Sequence, residues 1–370
     1  MAGERLRILH TESSLGWGGQ EIRVLTEAHA LARRGHDVTV AAPAASRIFE
    51  ATHRFGVEGV AIPIGRKSPA GLVAMTALLR DREFDVVNTH SSTDSWLAAL
   101  AARMLRRPPP IVRTRHISAP VPRNAPTRWL YRRATECIVT TGEKLRLQVI
   151  EETGADPARV ISIPTGIDLD RFRPGVARTA KAEAGLPPEA FVVGIVATLR
   201  SWKGHRYLFE AFAKREDRGA RLVVVGDGPQ REALEALARE LGIDPCVHFA
   251  GNREDVAPWL RAFDLFCLPS YANEGVPQAL MQAMACALAV VTTPVGSIAE
   301  IVEDGVSGVL VAPQSVEALR EAIDALAADP GRRAALGGAA REVAIARFGE
   351  DRMAEAMQAV FRRVTGARRG

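Results

Sequence analysis

The sequence predicts an α/β fold with two Rossmann-like domains, each built on a parallel sheet, facing each other across an interdomain cleft. Short apolar segments of the kind that form buried strands alternate with segments of helical periodicity along almost the whole chain. The alternation stops at the turn-rich stretch 168–175 and then starts again. In addition, 370 residues exceed what one hydrophobic core usually supports. We therefore expect one domain over 1–170 and a second over 171–348.

The first domain is predicted from seven apolar segments and from the amphipathic segments between them. Short apolar runs bounded by turn residues are typical of strands that are buried on both faces of a parallel sheet. In chain order, the predicted strands are Leu6–Thr11, Val38–Ala42, Val57–Ile64, Val86–His90, Ile111–His116, Cys137–Thr141 and Val160–Pro164. Apolar side chains at helical spacing predict helices at Gln20–Arg34, Ala70–Arg80, Trp96–Leu105 and Glu143–Glu152.

The second domain repeats the same alternation. Its predicted strands are Phe191–Thr198, Leu222–Gly226, Val247–Ala250, Leu265–Leu268, Val290–Thr293 and Val309–Val311. Helical segments intervene at His205–Lys214, Gln230–Leu241, Val256–Ala262, Pro277–Ala285 and Ile298–Val302. Three further helices are expected near 315–328, 331–347 and 350–365. We expect the terminal segment, 349–370, to form a helix that crosses back to the first domain.

The composition is that of an ordinary globular protein, with 47% hydrophobic and 25% charged residues. No apolar run reaches the roughly 18–20 residues that span a bilayer, and no signal-peptide core precedes the first strand. These features predict a cytoplasmic protein. The four cysteines are widely spaced and form no CxxC pair, which favours buried thiols over disulfides or a metal site.

A basic segment, 103–136, contains nine arginines and a single acidic residue, Glu136. A solvated basic face would explain the arginines. The alternative is a surface for anionic lipid or for a phosphate-bearing acceptor, which the neighbouring aromatic residues favour. The candidate residues for this acceptor or membrane side are Arg113, Arg115, Arg128, Trp129, Arg132 and Arg133. Nucleic acid is not an expected partner, because no reading motif accompanies the charge.

Loops that follow predicted strands supply the candidate ligand-binding residues, since doubly wound sheets bind ligands at the carboxyl ends of their strands. The first loop carries Gly16, Gly18 and Gly19, whose backbone amides can approach a ligand closely, although a tight turn would also explain them. The second carries Arg200 and Lys203 before a helix. Both cations can neutralise a diphosphate leaving group, although solvated surface residues are the alternative.

Two more loops of the second domain complete this set. The turn Gly226-Asp227-Gly228 permits close backbone contact with a ligand. Glu274 precedes a Gly275-Val276-Pro277 turn at a helix start, where a carboxylate is also common as a simple cap. Gln282 lies eight residues further on, about two helical turns, so that both side chains can face one ligand. This arrangement suits a sugar nucleotide.

In the first domain, His116 stands at the end of a predicted strand and is a candidate for substrate contact, and His90 has the same placement. A lone histidine is nonetheless more often structural than catalytic. Neither HExxH nor paired Cys/His spacing is present, so we predict no metal. The sequence also lacks a GxSxG elbow and a P-loop, which argues against hydrolases and kinases.

Taken in order, these loops resemble the family-four retaining glycosyltransferases of GT-B fold, and the likeness runs through nearly the whole chain. The motifs that carry it are the glycine loop at 16–19, the Ile163–Pro174 junction, the Arg200…Lys203-Gly204 pair, Gly226–Pro229, Glu274–Pro277 with Ala283–Ala285, Pro294–Gly296 and Glu300. Each motif is modest, whereas the ordered set is highly specific.

The resemblance implies a role for each candidate residue. Arg200 and Lys203 would hold the donor pyrophosphate, Glu274 would contact sugar hydroxyls, and the glycine loop would close over the diphosphate. His116 would lie near the transferred sugar. Gln282 occupies the position at which the family usually has a ribose-binding glutamate. Thr165 likewise stands where such junctions often carry asparagine.

The resemblance further implies metal-independent transfer with retention. We expect the donor to be a UDP-linked sugar. The first domain would be the acceptor side, and the second would bind the nucleotide sugar. The expected acceptor is a cell-surface glycan, such as a lipopolysaccharide core or a lipid-linked saccharide, reached from the inner face of the membrane. No cofactor is expected, because the nucleotide sugar is a substrate. The alternatives are a GT-B sugar-nucleotide epimerase, a small-molecule glycosyltransferase, and a non-catalytic GT-B scaffold, the last favoured by Gln282.

Overall fold

A computed structural model describes residues 5–217, 219–272 and 274–369. The chain divides into two compact units. The first unit comprises the residues up to Gly166 together with the segment from Glu350 onward, and the second unit runs from Ile167 to Gly349. The chain thus passes from the first unit to the second after Gly166, four residues before the predicted domain boundary at residue 170.

The first unit contains a parallel sheet of seven strands within its described residues, in the order β3-β2-β1-β4-β5-β6-β7. The strands are β1 Arg7–Thr11, β2 Asp37–Ala42, β3 Glu58–Ala61, β4 Val86–Thr89, β5 Ile111–Arg115, β6 Cys137–Thr140 and β7 Val160–Ser162. The helices are α1 Gly19–Arg33, α2 Arg47–Ala51, α3 Pro69–Arg82, α4 Ser92–Arg103, α5 Ala125–Trp129 and α6 Glu143–Thr153. Ile8 and Leu9 of β1 are fully buried and join different hydrophobic clusters, as the period of two along a strand requires.

The second unit contains a parallel sheet of six strands within its described residues, in the order β10-β9-β8-β11-β12-β13. The strands are β8 Val192–Val196, β9 Arg221–Val225, β10 Val247–Gly251, β11 Leu265–Leu268, β12 Ala289–Thr292 and β13 Val309–Leu310. The helices are α7 Ala177–Glu183, α8 His205–Ala213, α9 Arg231–Glu240, α10 Ala257–Ala262, α11 Gln278–Ala285, α12 Val316–Ala328 and α13 Pro330–Arg347.

The last helix, α14 Glu350–Arg369, belongs to the first unit. It packs beside α1 and contributes Met357 and Phe361, both fully buried, to the core on that face of the sheet. Gly166, the last residue before the crossing, donates its N–H to Met353 Sδ at 2.9 Å. The end of the chain is therefore part of the core of the first unit.

Both sheets have the Rossmann strand order, in which the direction of the connections reverses at one point. In the first unit this point lies between β1 and β4, and in the second between β8 and β11. The prediction of two Rossmann-like parallel α/β sheets is confirmed. The connections that leave the carboxyl ends of β1, β8 and β11 carry the predicted glycine loop, then Arg200 and Lys203, and then Glu274 with Gln282.

Three short helices, α2, α5 and α7, have no counterpart among the predicted elements, because five to seven residues hold too little periodicity to stand out. The caps of the first two are recognisable afterwards. Ser46 and Asn124 each accept a backbone N–H of the first turn. The predicted helix Ile298–Val302 is a single 3₁₀ turn, Ile298–Glu300.

Candidate active site

An ion pair between Lys203 and Glu274 lies at the carboxyl edge of the second sheet. Lys203 Nζ is 2.6 Å from Glu274 Oε1. The carboxylate is almost fully buried, with 4% exposure, whereas the lysine side chain is 20% exposed. The two residues come from separate loops, after β8 and after β11, so that the structure brings together two side chains that the sequence predicted as one site.

Hydrogen bonds and a close backbone contact surround Glu274 in the loop after β11. Ser270 Oγ donates to Glu274 Oε1 at 2.6 Å, and Thr293 Oγ1 donates to the carbonyl of Ser270. Gly296 has a φ of 61°, and a Cβ there would lie 2.0 Å from the carbonyl oxygen of Glu274. Only glycine fits, because the loop after β12 passes directly against the Glu274 backbone. One carboxylate oxygen thus serves the lysine and the serine, which leaves Oε2 for other partners.

Lys203 ends a 3₁₀ turn, Ser201–Lys203, directly before α8. Gly204 makes this approach possible, since it has a φ of 77° and a Cβ would lie 2.0 Å from the carbonyl oxygen of Pro269. Tyr271 donates its backbone N–H to the carbonyl of Trp202 at 2.8 Å. The loops after β8 and β11 are therefore joined through their backbones as well as through the ion pair.

Arg200 is exposed, and its guanidinium lies 5.7 Å from the ring centroid of Trp202. Within the described residues it forms no ion pair with Glu274. The arginine is thus placed at the same edge as Lys203, with its charge directed to solvent.

The turn after β9 is tied to the loop after β8. Leu199 donates its N–H to the carbonyl of Asp227 at 3.0 Å, and Gln230 donates to the carbonyl of Leu199 at 3.1 Å. Gly226 and Gly228 flank Asp227, whose Oδ1 accepts the N–H of Gly228. This brings the third predicted loop alongside the second.

Gln282 lies on α11 and is 8% exposed. This helix starts directly after the buried turn Gly275-Val276-Pro277. No hydrogen bond between Gln282 and Glu274 is found within the described residues. Helix α11 therefore places the amide of Gln282 in the interior of the second unit.

His205 opens α8 next to Lys203 and Gly204, and it was not a predicted site residue. It is 2% exposed, and neither ring nitrogen has a hydrogen-bond partner in the described part of the chain. Burial, and then the charge of Lys203, lowers the pKa of His205 to about 3. The imidazole is therefore neutral at physiological pH.

In the first unit, the glycine loop follows β1 and is anchored by a buried acid. Glu12 Oε1 accepts the N–H of Ser14 at 2.8 Å, and Oε2 accepts from Gln20 Nε2 at 2.5 Å. Burial, and then the nearby charge of Asp94, raises the pKa of Glu12 to about 8. Gly16 donates its N–H to Ser14 Oγ, and helix α1 begins at Gly19, directly after its N-cap Gly18.

Three histidines form a row across neighbouring strands of the first sheet. His90 Nδ1 and His116 Nε2 are 3.0 Å apart, and His10 Nδ1 and His90 Nε2 are also 3.0 Å apart. His116 follows β5, His90 follows β4, and His10 lies within β1. Burial lowers the pKa of His10 to about 3 and lowers the pKa of His90 and of His116 well below the usual value. All three rings are therefore neutral.

The predicted acceptor or membrane side divides into buried and exposed parts. For Arg113 the prediction of a surface role is wrong, because the side chain is 5% exposed and its guanidinium lies 4.4 Å from the ring centroid of Tyr131. Arg115 is half-buried and donates to Tyr131 Oη. Trp129 is half-buried and stacks on Trp96. The exposed members of the set are Arg128, Arg132 and Arg133.

Two family models match the chain, one to each half. The model described as Glycosyltransferase Family 4 matches residues 17–171, and the model described as Glycosyl transferases group 1 matches residues 190–329. D-inositol 3-phosphate glycosyltransferase of Xylanimonas cellulosilytica is 33% identical, over 95% of this chain and 93% of that protein. The chain belongs to the family-four glycosyltransferases.

Solved structures share the fold of this glycosyltransferase along nearly its whole length. A glycosyltransferase from Rickettsia africae has a TM-score of 0.87 at 19% identity, covering 98% of this chain and 99% of that one. HepE from Anabaena, solved with UDP and glucose, has a TM-score of 0.85 at 22% identity, covering 96% and 99%. These neighbours establish the GT-B architecture.

Several residues at the carboxyl edges of the two sheets were not among the predicted site residues. Ser270 and Thr293 appear in the sequence only as the polar ends of apolar strands, which is a signal too common to single them out. His10 and Glu12 were hidden because they fall in or directly after a strand recognised by its apolar residues. A charged residue directly after a buried strand, as Glu12 is after β1, is a rarer and more usable signal, since parallel sheets bind ligands at the carboxyl ends of their strands.

No group of three or more His, Cys, Asp or Glu side chains has an arrangement that suits a metal ion among residues 5–217, 219–272 and 274–369. In the same part of the chain, no helix combines the length and the apolar character that a membrane span requires.

Proposed function

We propose that this glycosyltransferase transfers a sugar from a UDP-linked donor to a phosphate-bearing acceptor, without a metal and with retention of anomeric configuration. The observation that carries the proposal is the ion pair of Lys203 with Glu274. It places a cation for a leaving diphosphate and a buried carboxylate for sugar hydroxyls within one hydrogen bond of each other, at the ligand-binding edge of a Rossmann sheet.

In the proposed mechanism the second unit stabilises the leaving group. Lys203, supported by exposed Arg200, offsets the charge that develops on the nucleotide diphosphate as the glycosidic C–O bond breaks. Glu274 Oε2, which is not used by Ser270 or Lys203, accepts hydrogen bonds from sugar hydroxyls and orients the ring. The acceptor hydroxyl attacks from the face that the phosphate leaves, and its proton passes to a phosphate oxygen. No protein nucleophile is required.

Two acceptor classes share the required chemistry, a hydroxyl group next to a phosphate. A lipid-linked saccharide or lipopolysaccharide core is supported by the exposed arginines Arg128, Arg132 and Arg133. A phosphorylated cyclitol is supported by the relative named as a D-inositol 3-phosphate glycosyltransferase, at 33% identity over nearly the whole chain. We favour the cyclitol class, because that relative covers both units.

The test is a turnover assay with UDP-, GDP- and ADP-sugars against inositol phosphate and against a lipid-linked saccharide, in the presence and absence of EDTA. We expect UDP release that depends on a phosphorylated acceptor, persists in EDTA and gives a product with the anomeric configuration of the donor by NMR. An inverted product, or activity that EDTA abolishes, would contradict the mechanism. Activity only with the lipid-linked saccharide would identify the membrane acceptor instead.

The remaining alternatives give different products from the same assay. An epimerase converts or hydrolyses the donor without an acceptor, and a non-catalytic scaffold binds nucleotide without turnover. Membrane association is tested separately by flotation with anionic and neutral vesicles at low salt. Binding that prefers anionic vesicles and weakens in an Arg128/Arg132/Arg133→Gln triple variant would support a peripheral protein, and equal binding to both would remove that support.

A further inference from the structure

The histidine row has a defined geometry that goes beyond the single residue His116. Adjacent rings are stacked, with centroids 5.3 Å apart in both pairs and interplanar angles of 22° and 30°. Each pair is also joined by nitrogens 3.0 Å apart. His90 is thus held by hydrogen bonds at both of its nitrogens, and the row leads from fully buried His10 to half-buried His116.

The surroundings fix the row in place. Asp94 Oδ2 accepts the backbone N–H of His90 at 2.9 Å, and Asp94 Oδ1 accepts that of Ser91 at 2.9 Å, so helix α4 anchors the backbone beside the middle ring. At the inner end, Phe361 of α14 meets His10 edge-on, with centroids 6.3 Å apart. The row therefore has little freedom to tilt or to exchange partners.

Each neutral ring has one N–H donor and one bare acceptor nitrogen. His90 therefore donates to one neighbour and accepts from the other, so both hydrogen bonds point in the same direction along the row. In the first arrangement every ring is protonated at Nδ1, and His116 Nε2 only accepts. In the second every ring is protonated at Nε2, and the N–H of His10 Nε2 points into the interior. His10 Nε2 is buried and has no partner within the described residues. A buried N–H without an acceptor is rarer than an unpaired acceptor, so the first arrangement is favoured.

We propose that His10 and His90 are positioning residues that hold the proton of His116 on Nδ1, so that His116 presents a neutral N–H donor to a ligand oxygen at the edge of the first sheet. The hydrogen bond at one imidazole nitrogen sets the protonation of the other. The ligand oxygen belongs to a sugar hydroxyl or a phosphate. Only the identity of this ligand rests on the proposed function, since the tautomer is a property of the unliganded protein.

The test is a long-range 1H–15N correlation on 15N-histidine-labelled protein near neutral pH, without donor or acceptor. A His116→Gln variant assigns the His116 signals. We expect protonation at Nδ1 and a bare Nε2 for His116. Protonation of His116 at Nε2 in the unsubstituted protein would overturn the proposal, and this measurement needs no variant that is at risk of misfolding.

Two substitutions of His90 then test whether the histidine row sets the tautomer of His116. His90→Phe removes the donor to His116 Nε2, and we expect His116 to shift to a mixture of tautomers. His90→Asn retains an amide N–H near the position of Nδ1, and we expect the original tautomer. An unchanged His116 tautomer in a folded His90→Phe protein would overturn the proposal. If His90→Phe does not fold, His10→Phe provides the same comparison from the far end of the row.

Kinetics separate this proposal from the proposed function. With a working transfer assay, we expect His90→Phe to lower kcat about tenfold with a much smaller change in the donor KM, and His90→Asn to recover most of the loss. A loss confined to KM would contradict a donor role in the transition state. The unsubstituted protein could also fail to transfer sugar while Nδ1 of His116 is protonated. That result would refute the proposed function and leave the proposal for the histidine row standing.

Discussion

The ammonium group of Lys203 lies 2.6 Å from the carboxylate of Glu274, and this carboxylate is buried almost completely. Removal of one partner from such a pair leaves the other charge buried without compensation. The pair therefore has a structural consequence that can be measured apart from turnover.

The first prediction concerns this pair. Lys203→Met should destabilise the protein by about 3 kcal/mol, because Glu274 then keeps a buried charge with Ser270 as its remaining partner among the described residues. The double variant Lys203→Met/Glu274→Gln should regain most of that stability and remain inactive. Chemical denaturation and the transfer assay measure the two effects. A single variant as stable as the unsubstituted protein would contradict a stabilising role of this ion pair.

The second prediction concerns Arg200, whose exposed side chain contributes little to stability. Arg200→Ala should change the free energy of unfolding by less than about 0.5 kcal/mol. It should lower donor turnover about 100-fold if the guanidinium stabilises the leaving diphosphate. Arg206→Ala is the matched control, because Arg206 is another exposed arginine, on α8, paired with Glu210. Equal effects of both variants on turnover would indicate only a general loss of positive charge.

The third prediction concerns Gln282. Gln282→Met keeps an unbranched side chain of similar length without hydrogen-bonding groups, and should weaken UDP binding about tenfold. Gln282→Glu should leave binding unchanged or strengthen it, since a carboxylate can accept charge-assisted hydrogen bonds from a ribose diol. Isothermal titration with UDP compares the three proteins. Weaker binding by the glutamate variant would show that the amide donates a hydrogen bond that a carboxylate does not supply.

The fourth prediction concerns the pH dependence of stability. The pKa of Glu12 is about 8 in the folded chain against an ordinary value of 4.5, because of burial and then Asp94. The folded protein thus holds a proton that the unfolded chain releases, so this contribution to stability is complete below pH 4.5 and is lost as the pH rises to 8. Glu12→Gln, which resembles the protonated form, should match the parent at low pH and exceed it by up to about 5 kcal/mol above pH 8, at about 1.4 kcal/mol for each pKa unit.

Denaturation curves across this pH range check the prediction, with exposed Glu50→Gln as the control. A stability difference between Glu12→Gln and the parent that does not vary with pH would contradict the raised pKa. A decrease at every pH would mean that the amide breaks the contacts with Ser14 or Gln20.

The sequence predicts most of the fold because strands buried on both faces leave apolar runs that the surrounding helices do not share. Segment Leu265–Leu268 is recognised to the residue. The same logic brings Lys203 and Glu274 to one edge, since parallel strands present their carboxyl ends together.

The side-chain contacts within the candidate site could not be predicted, because they depend on how distant loops pack and not on any local sequence pattern. Contacts such as Ser270 with Glu274 are set by loop geometry. The place of Gly296 against the Glu274 backbone depends on a neighbouring strand rather than on nearby residues. The error at Arg113 has a simple cause. A count of charges cannot distinguish a guanidinium stacked on Tyr131 in the interior from one in solvent.

The return of α14 to the first unit affects how the protein is made on the ribosome. The second unit, Ile167–Gly349, is contiguous, so all of its residues have been synthesised before α14 is translated. The first unit begins earlier and is completed later, because Met357 and Phe361 fill its core only after their own synthesis. Helices α1 and α2 already cover part of this face, but the part that α14 covers stays exposed while the entire neighbouring unit is translated. Apolar surface exposed in this way during synthesis is prone to aggregation.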